Sequence, residues 1–235
     1  MTKDEVLKEL VGYANSNTKN TFLKHGAKEP LFGVKVQDLK TILKKTKKDH
    51  QLAMALYDTG NSDAMYLAGL MADENQIKKT DLQRWVKKAY WSYLSEYTVP
   101  WVASESPFGL ELALEWIESK KETISCAGWA TFSNLVALKE NKDLDLKLID
   151  RLLDRVEKNI HQSQNRVKYT MNGFVISVGG YIASLNKKAK AVAVKIGKVD
   201  VHMGGTACKV PSAPEYILKM EARGTLIKKR KMARC

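Results

Sequence analysis

The sequence predicts an all-α fold, a superhelical stack of antiparallel helix pairs. Apolar residues recur at three- and four-residue spacing almost throughout the 235 residues, the period of helices that bury one face. Strict alternation of apolar and polar residues, which would mark half-buried strands, is scarce. About a dozen short periodic segments succeed one another through brief turns, as in stacked helical pairs. The letters show no exact repeat, so any repeat is structural and degenerate.

Thr2-Lys3-Asp4-Glu5 has the spacing of a capping box, and Val6, Leu7, Leu10 and Val11 form the inward face of the helix it starts. Gly12 and the polar run Asn15 to Asn20 end or interrupt that helix. Pro30 to Val34 is a turn. Val36, Leu39, Ile42 and Leu43 mark a short amphipathic helix that runs into Lys44 to Lys48. Leu52, Ala55 and Leu56 mark the next, ending near Gly60-Asn61. Asp63 to Ala72 carries small residues suited to close packing. Thr80-Asp81 caps a helix rich in aromatics, and Pro100 and Pro107 break the chain beyond it into short pieces. Helices are then expected over Leu110 to Ile117, Glu122 to Ala137, Leu144 to Val156, Arg166 to Ile182 and Lys187 to Val199. Val201 to Pro211, with adjacent glycines, reads as an ordered loop. Pro214 to Arg223 is a last helix stopped by Gly224, and KKRKMARC is a mobile tail. The expected organisation is a helical-repeat domain over residues 1–199 and an extension over 200–235.

A hydrophobic fraction of 44% and a charged fraction of 28% are those of a globular protein whose core needs neither metals nor disulfides. The net charge is +13, of which the tail residues Lys228, Lys229, Arg230, Lys231 and Arg234 supply five. That excess favours a polyanion, and nucleic acid is the commonest; a merely solvated positive face is the alternative. Lys44-Lys45, Lys87-Lys88 and Lys120-Lys121 sit at helix ends. They read as contacts to a duplex backbone, or as cations placed there by the helix dipole. Cys126, Cys208 and Cys235 lie far apart with no CxxC, and Asp200, His202 and Cys208 lack a usual ligand spacing. No metal and no cofactor are therefore expected. The thiols fit a reducing compartment. MTKDEVLKELVG reads as a helix start and not a signal peptide, and no apolar run approaches the ~18 residues of a membrane span. The expectation is a cytoplasmic protein with no membrane partner, and nothing demands more than a monomer.

The densest stretch is LQRWVKKAYWSYLSEYTVPWVAS, Leu82 to Ser104. It holds Trp85, Trp91 and Trp101 with Tyr90, Tyr93 and Tyr97 between them, beside Arg84, Lys87 and Lys88. Rings next to cations suit a surface that meets sugars and phosphates; the same stripe also suits a core.

Several stretches in order, FGVKVQDLKTILKK, DAMYLAGLMAD, VKKAYWSYLSE, LEWIESKKETISCAGWATF and VKYTMNGFVI, resemble the DNA alkylation repair proteins of the AlkD type over roughly Phe32 to Val199. The resemblance implies HEAT-like repeats on an ARM-type scaffold with a basic concave face that cradles double-stranded DNA. It also implies a monofunctional glycosylase chemistry towards N3- or N7-alkylated purines, in which aromatic faces grip the nucleotide and a carboxylate supports the sugar cation. Carried across residue by residue, the paired aromatics align with Tyr90 and Trp91, and a second gripping tryptophan aligns with Phe174. The family's aspartate position is Ser95, with Glu96 one residue later, and a family arginine aligns with Cys126. Glu96 can replace the aspartate only if the local turn is distorted, since neighbours on a helix point roughly 100° apart. The candidate catalytic residues are thus Glu96 and Ser95, and the candidate DNA-binding residues are Tyr90, Trp91, Phe174 and the lysine pairs above. The expectation is a DNA-binding protein of the alkylation-repair type, with glycosylase activity as its enzymatic form. A non-catalytic module that recognises DNA structure and a helical-repeat scaffold for other proteins are the alternatives.

Overall fold

Thr2 opens α1 (Lys3–Gly12) with the reciprocal cap that its spacing predicts. Its Oγ1 accepts from the Glu5 N–H at 3.2 Å, and the Glu5 carboxylate accepts from the Thr2 N–H at 2.9 Å. Val6 and Leu10 are buried, but Val11 is 54% exposed, so the inward face is narrower than the periodicity suggests. Gly12 ends α1 as expected, and the polar run beyond it is itself helical, forming α2 (Ser16–Lys24). Asn15 starts it by accepting from the Thr18 N–H at 2.9 Å, which offsets weak helix propensity. This is a computed structural model, and it describes residues 1–234.

The chain continues through α3 (Val36–Thr46), α4 (His50–Tyr57), α5 (Ser62–Met71), α6 (Lys79–Lys88), a π turn (Tyr93–Thr98) continuous with α7 (Val99–Glu105), α8 (Gly109–Trp116), α9 (Glu122–Leu138), α10 (Leu146–Asn159), α11 (Asn165–Tyr181), α12 (Ala183–Ile196) and α13 (Ala213–Ala222). No strand occurs among the described residues. Helices α4, α6, α8 and α10 pack on α5, α7, α9 and α11 respectively, and the last four pack successively against one another as an inner layer. This is the predicted stack of HEAT-like antiparallel pairs. Gly128 lets α9 meet the end of α8, where a Cβ would stand 2.6 Å from the Ile117 nitrogen. The buried apolar side chains form two clusters, one centred on α1 and α3 to α7 and one on α8 to α13. The Trp85 ring stacks on Tyr57 at 3.9 Å, deep in the first. Among the described residues no helix is long and apolar enough to cross a membrane.

Residues 200–234 frame the inner layer on two edges. Their loop passes the start of α11, where Asn165 exchanges hydrogen bonds with the His202 backbone at 3.0 and 2.7 Å. It then reaches α2, where Gly204 sits so close to the Lys24 carbonyl that no Cβ fits. Helix α13 sets Ile217 and Met220 on Gly179 and Gly180 of α11. The tail is not loose, contrary to expectation. The Ile227 N–H donates to the Gly180 carbonyl at 2.7 Å, the Arg230 N–H to Ala137 at 2.8 Å and the Ala233 N–H to the Glu105 carboxylate at 2.6 Å. Arg234, 8% exposed, lies between Glu74 and Glu105 at 2.9 and 3.2 Å. The tail thus crosses the C-terminal ends of α11, α9, α7 and α5 in turn. Those ends carry unpaired carbonyls and the negative pole of the helix dipole, so a cationic segment satisfies both. Cys235, the last residue of the expected mobile tail, lies outside the described residues.

Candidate nucleic-acid interface

A π turn opens the α7 member of the inner layer. Pro100 has no N–H for the Glu96 carbonyl and crowds it, and a widened turn is the local solution. The Val99 N–H reaches back five residues to the Leu94 carbonyl. Glu96 thus lies within a widened turn, the kind of distortion that its candidate role calls for, while the Ser95 N–H still bonds to the Trp91 carbonyl at the regular four-residue spacing, 3.0 Å. Ser95 turns inward. It is 1% exposed, and its hydroxyl donates to the Trp91 carbonyl at 3.1 Å.

Glu96 does not stand free. Arg166, at the start of α11, donates to both of its oxygens, from Nε at 2.7 Å and from a terminal nitrogen at 2.6 Å. The Glu96 side chain is 2% exposed and that of Arg166 20%. Burial pushes the Glu96 carboxyl above its ordinary range, and the guanidinium draws it back without cancelling the shift. The Arg166 N–H also donates to Glu122 at 2.8 Å, and its guanidinium lies 4.4 Å from the Tyr169 ring centre. Cys126, where the resemblance places an arginine, is buried next to this pair, and burial raises its thiol pKa. The cation beside Glu96 comes from α11. Sequence reasoning missed Arg166, Tyr169 and the role of Tyr97. The only signal was the position of Arg166 just before VKYTMNGFVI.

A recess of about 290 Å³ opens beside the pair, between the π turn, α9, α11 and the tail. Glu96, Tyr97, Asn134, Tyr169, Arg230 and Ala233 line it, with several small and hydroxyl-bearing residues. The tail therefore forms part of its wall.

Two expected contacts do not hold. The Trp91 ring is 3% exposed, stacks on Tyr93 at 4.6 Å and donates from its indole N–H to the Ser62 hydroxyl at 2.9 Å. Phe174 is fully buried against Trp129 and Phe132. Neither ring faces a groove, because in each case apolar burial takes the ring. Tyr90 is half-buried, with its hydroxyl donating to the Lys28 carbonyl at 3.1 Å. The aromatic lining of the recess comes instead from Tyr97, Tyr169 and Trp101.

The lysines divide between two edges. Lys87, Lys120 and Lys121 share one, where Lys121 Nζ donates to the Lys87 carbonyl at 3.0 Å and Gln164 to the Lys120 carbonyl at 3.1 Å. Lys44 and Lys45 close α3 on the other edge, near Lys48, which pairs with Glu74 at 2.8 Å beside Arg234. All six are exposed. Lys45 pairs with Glu9, and Lys88 with Asp58 at 2.9 Å. Lys44, Lys87 and Lys120 have no ion pair among the described residues. No group of three or more metal-ligating side chains occurs among the described residues.

A family model described as DNA alkylation repair enzyme matches residues 6–194. An uncharacterized protein of Listeria monocytogenes is 34% identical over 229 residues, which are 95% of this chain and 99% of that protein. One of Listeria innocua matches to the same extent, 34% over 229 residues. A solved structure described as "a new family of proteins related to the HEAT-like repeat DNA glycosylases with affinity for branched DNA structures" superposes with a TM-score of 0.91 at 36% identity, covering 100% of both chains. The family model stops at residue 194, whereas the solved relative spans the whole chain.

Proposed function

The chain belongs to the DNA alkylation repair enzyme family, and from that premise we propose that it is a monomeric, cytoplasmic protein that binds double-stranded DNA at branches and does not excise bases. The observation that carries this is the closed pair of Glu96 and Arg166. Excision of a cationic purine leaves positive charge on the sugar, which an unpaired carboxylate would stabilise. Here a guanidinium within hydrogen-bond distance cancels that field, and both carboxylate oxygens are occupied. The serine at the family's aspartate position is buried and bonded to backbone. DNA binding is supported by the net charge of +13, by lysines along the edges of the inner layer and by the solved relative, which has affinity for branched DNA.

The π turn favours a second reading, in which Glu96 serves as the carboxylate of a glycosylase once Arg166 lets go. One pair of measurements separates the two. Incubation with duplex DNA containing 7-methylguanine is expected to release no base above background. Gel-shift titration is expected to show tighter binding to a three-way junction than to a linear duplex, weakening steeply with salt. Base release that Glu96→Gln abolishes would establish the enzymatic reading, and salt-independent association would leave only a protein scaffold.

A further inference from the structure

Gly173 lies in the interior of α11, where glycine costs helix stability relative to alanine. Elsewhere the helical glycines answer to packing. A Cβ on Gly69, Gly109, Gly128, Gly179 or Gly180 would meet a neighbouring atom within 2.7 Å. A Cβ on Gly173 would meet nothing within 4 Å. Apart from Gly12, the last residue of α1, it is the one helical glycine among the described residues whose added side chain would enter open space. That space is the recess beside Glu96 and Arg166, which Gly173 itself lines. The protein keeps room there that its own packing does not use.

The recess measures about 290 Å³, at the lower limit of the roughly 300–1,000 Å³ that holds small ligands. It therefore suits one flat ring system and not a stretch of duplex. Tyr97 and Tyr169 offer aromatic surface, and the Asn134 amide offers both a donor and an acceptor. Arg230, contributed by the tail, brings a cation to its wall. Such a set matches an aromatic ring with a polar edge and an anionic attachment, which is a nucleotide. The charges of Glu96 and Arg166 compensate each other, so nothing at this end selects a cationic base over a neutral one.

We propose that the recess takes one unpaired, unmodified nucleobase, displaced where a duplex is interrupted, and that the C-terminal tail completes its wall. The inference rests on the DNA-binding reading and names what distinguishes a branch from a paired duplex.

The test uses the full chain and a short duplex carrying 2-aminopurine in a one-nucleotide bulge, with a fully paired duplex as control. Wild-type protein is expected to prefer the bulge and to shield 2-aminopurine from acrylamide quenching. Gly173→Leu fills the recess while favouring the helix, so it should keep its affinity for the paired duplex within about twofold and lose roughly tenfold on the bulge, the order of one stacked base, together with the shielding. Gly173→Ala, too small to fill the space, should behave as wild type, and Asn134→Ala should weaken only the bulge. Circular dichroism establishes that each variant is folded. If Gly173→Leu keeps both preference and shielding, or if wild type binds the bulge without shielding it, the recess is not a base site although DNA binding stands. If wild type binds neither DNA, the proposed function falls and this inference with it.

Discussion

Arg166 and Glu96 are seventy positions apart in the chain, and that separation explains what the sequence could and could not show. Glu96 was recognisable as the nearest carboxylate to a vacated aspartate position. Its partner was not, because a guanidinium on a distant helix leaves no mark in local spacing. Removing one side of a buried pair strands the other, so Arg166→Ala is expected to destabilise the fold by about 3–5 kcal/mol, measured by urea unfolding at neutral pH. Glu96 also predicts a pH dependence. Burial raises its folded pKa above the ordinary value of 4.5, so just above that pH the unfolded chain has lost a proton that the folded chain keeps. Stability then falls as pH rises through that window and levels off once the folded carboxyl has ionised. Unfolding curves across a pH series should show wild type losing ground to Glu96→Gln over this interval. A gain over the same interval would mean that attraction to Arg166 outweighs burial.

The helices were largely legible because capping and periodicity act within a few residues. Thr2 and Glu5 announced α1, and the apolar spacing of Leu146 to Val156 announced α10. The failures came where a contact from elsewhere decides the conformation. The π turn depends on how Pro100 is accommodated inside a packed layer, and the tail depends on helix ends that exist only after folding. Trp91 and Phe174 could not be assigned to groove or core from letters, since the same aromatic serves either. Two substitutions probe the joints between elements. Gly128→Ala pushes a methyl group against the backbone of Ile117, which cannot retreat as a side-chain tip could. It should cost roughly 1–3 kcal/mol or more by overpacking, read as a lowered unfolding midpoint. Arg234→Ala releases the tail from Glu74 and Glu105. Because Glu74 keeps Lys48 and the Arg234 Nε has no partner, the expected loss is about 1–2 kcal/mol. Hydrogen exchange should quicken at the last turns of α7 and α9, where the tail now lies.

At the scale of the whole molecule, a net charge of +13 matters only through the lysines that remain free to meet phosphate. The sequence displayed the clusters but not their pairing. Lys45 and Lys88 are engaged by Glu9 and Asp58, whereas Lys87 and Lys120 carry no such counter-charge among the described residues. A lysine already neutralised releases no counterion when it meets DNA, and one that is free does. Each phosphate contact steepens the plot of log affinity against log salt by about 0.9 on duplex DNA. Lys87→Ala and Lys120→Ala should therefore each flatten that slope by about 0.9, and Lys88→Ala by clearly less, although Lys87 and Lys88 are adjacent in the chain. Filter binding over a salt series at fixed pH measures all three. Equal slopes for Lys87→Ala and wild type would remove this edge from the DNA contact. The DNA would then have to run along the opposite edge, where Lys44 and the exposed tail residues Lys228 and Lys231 stand.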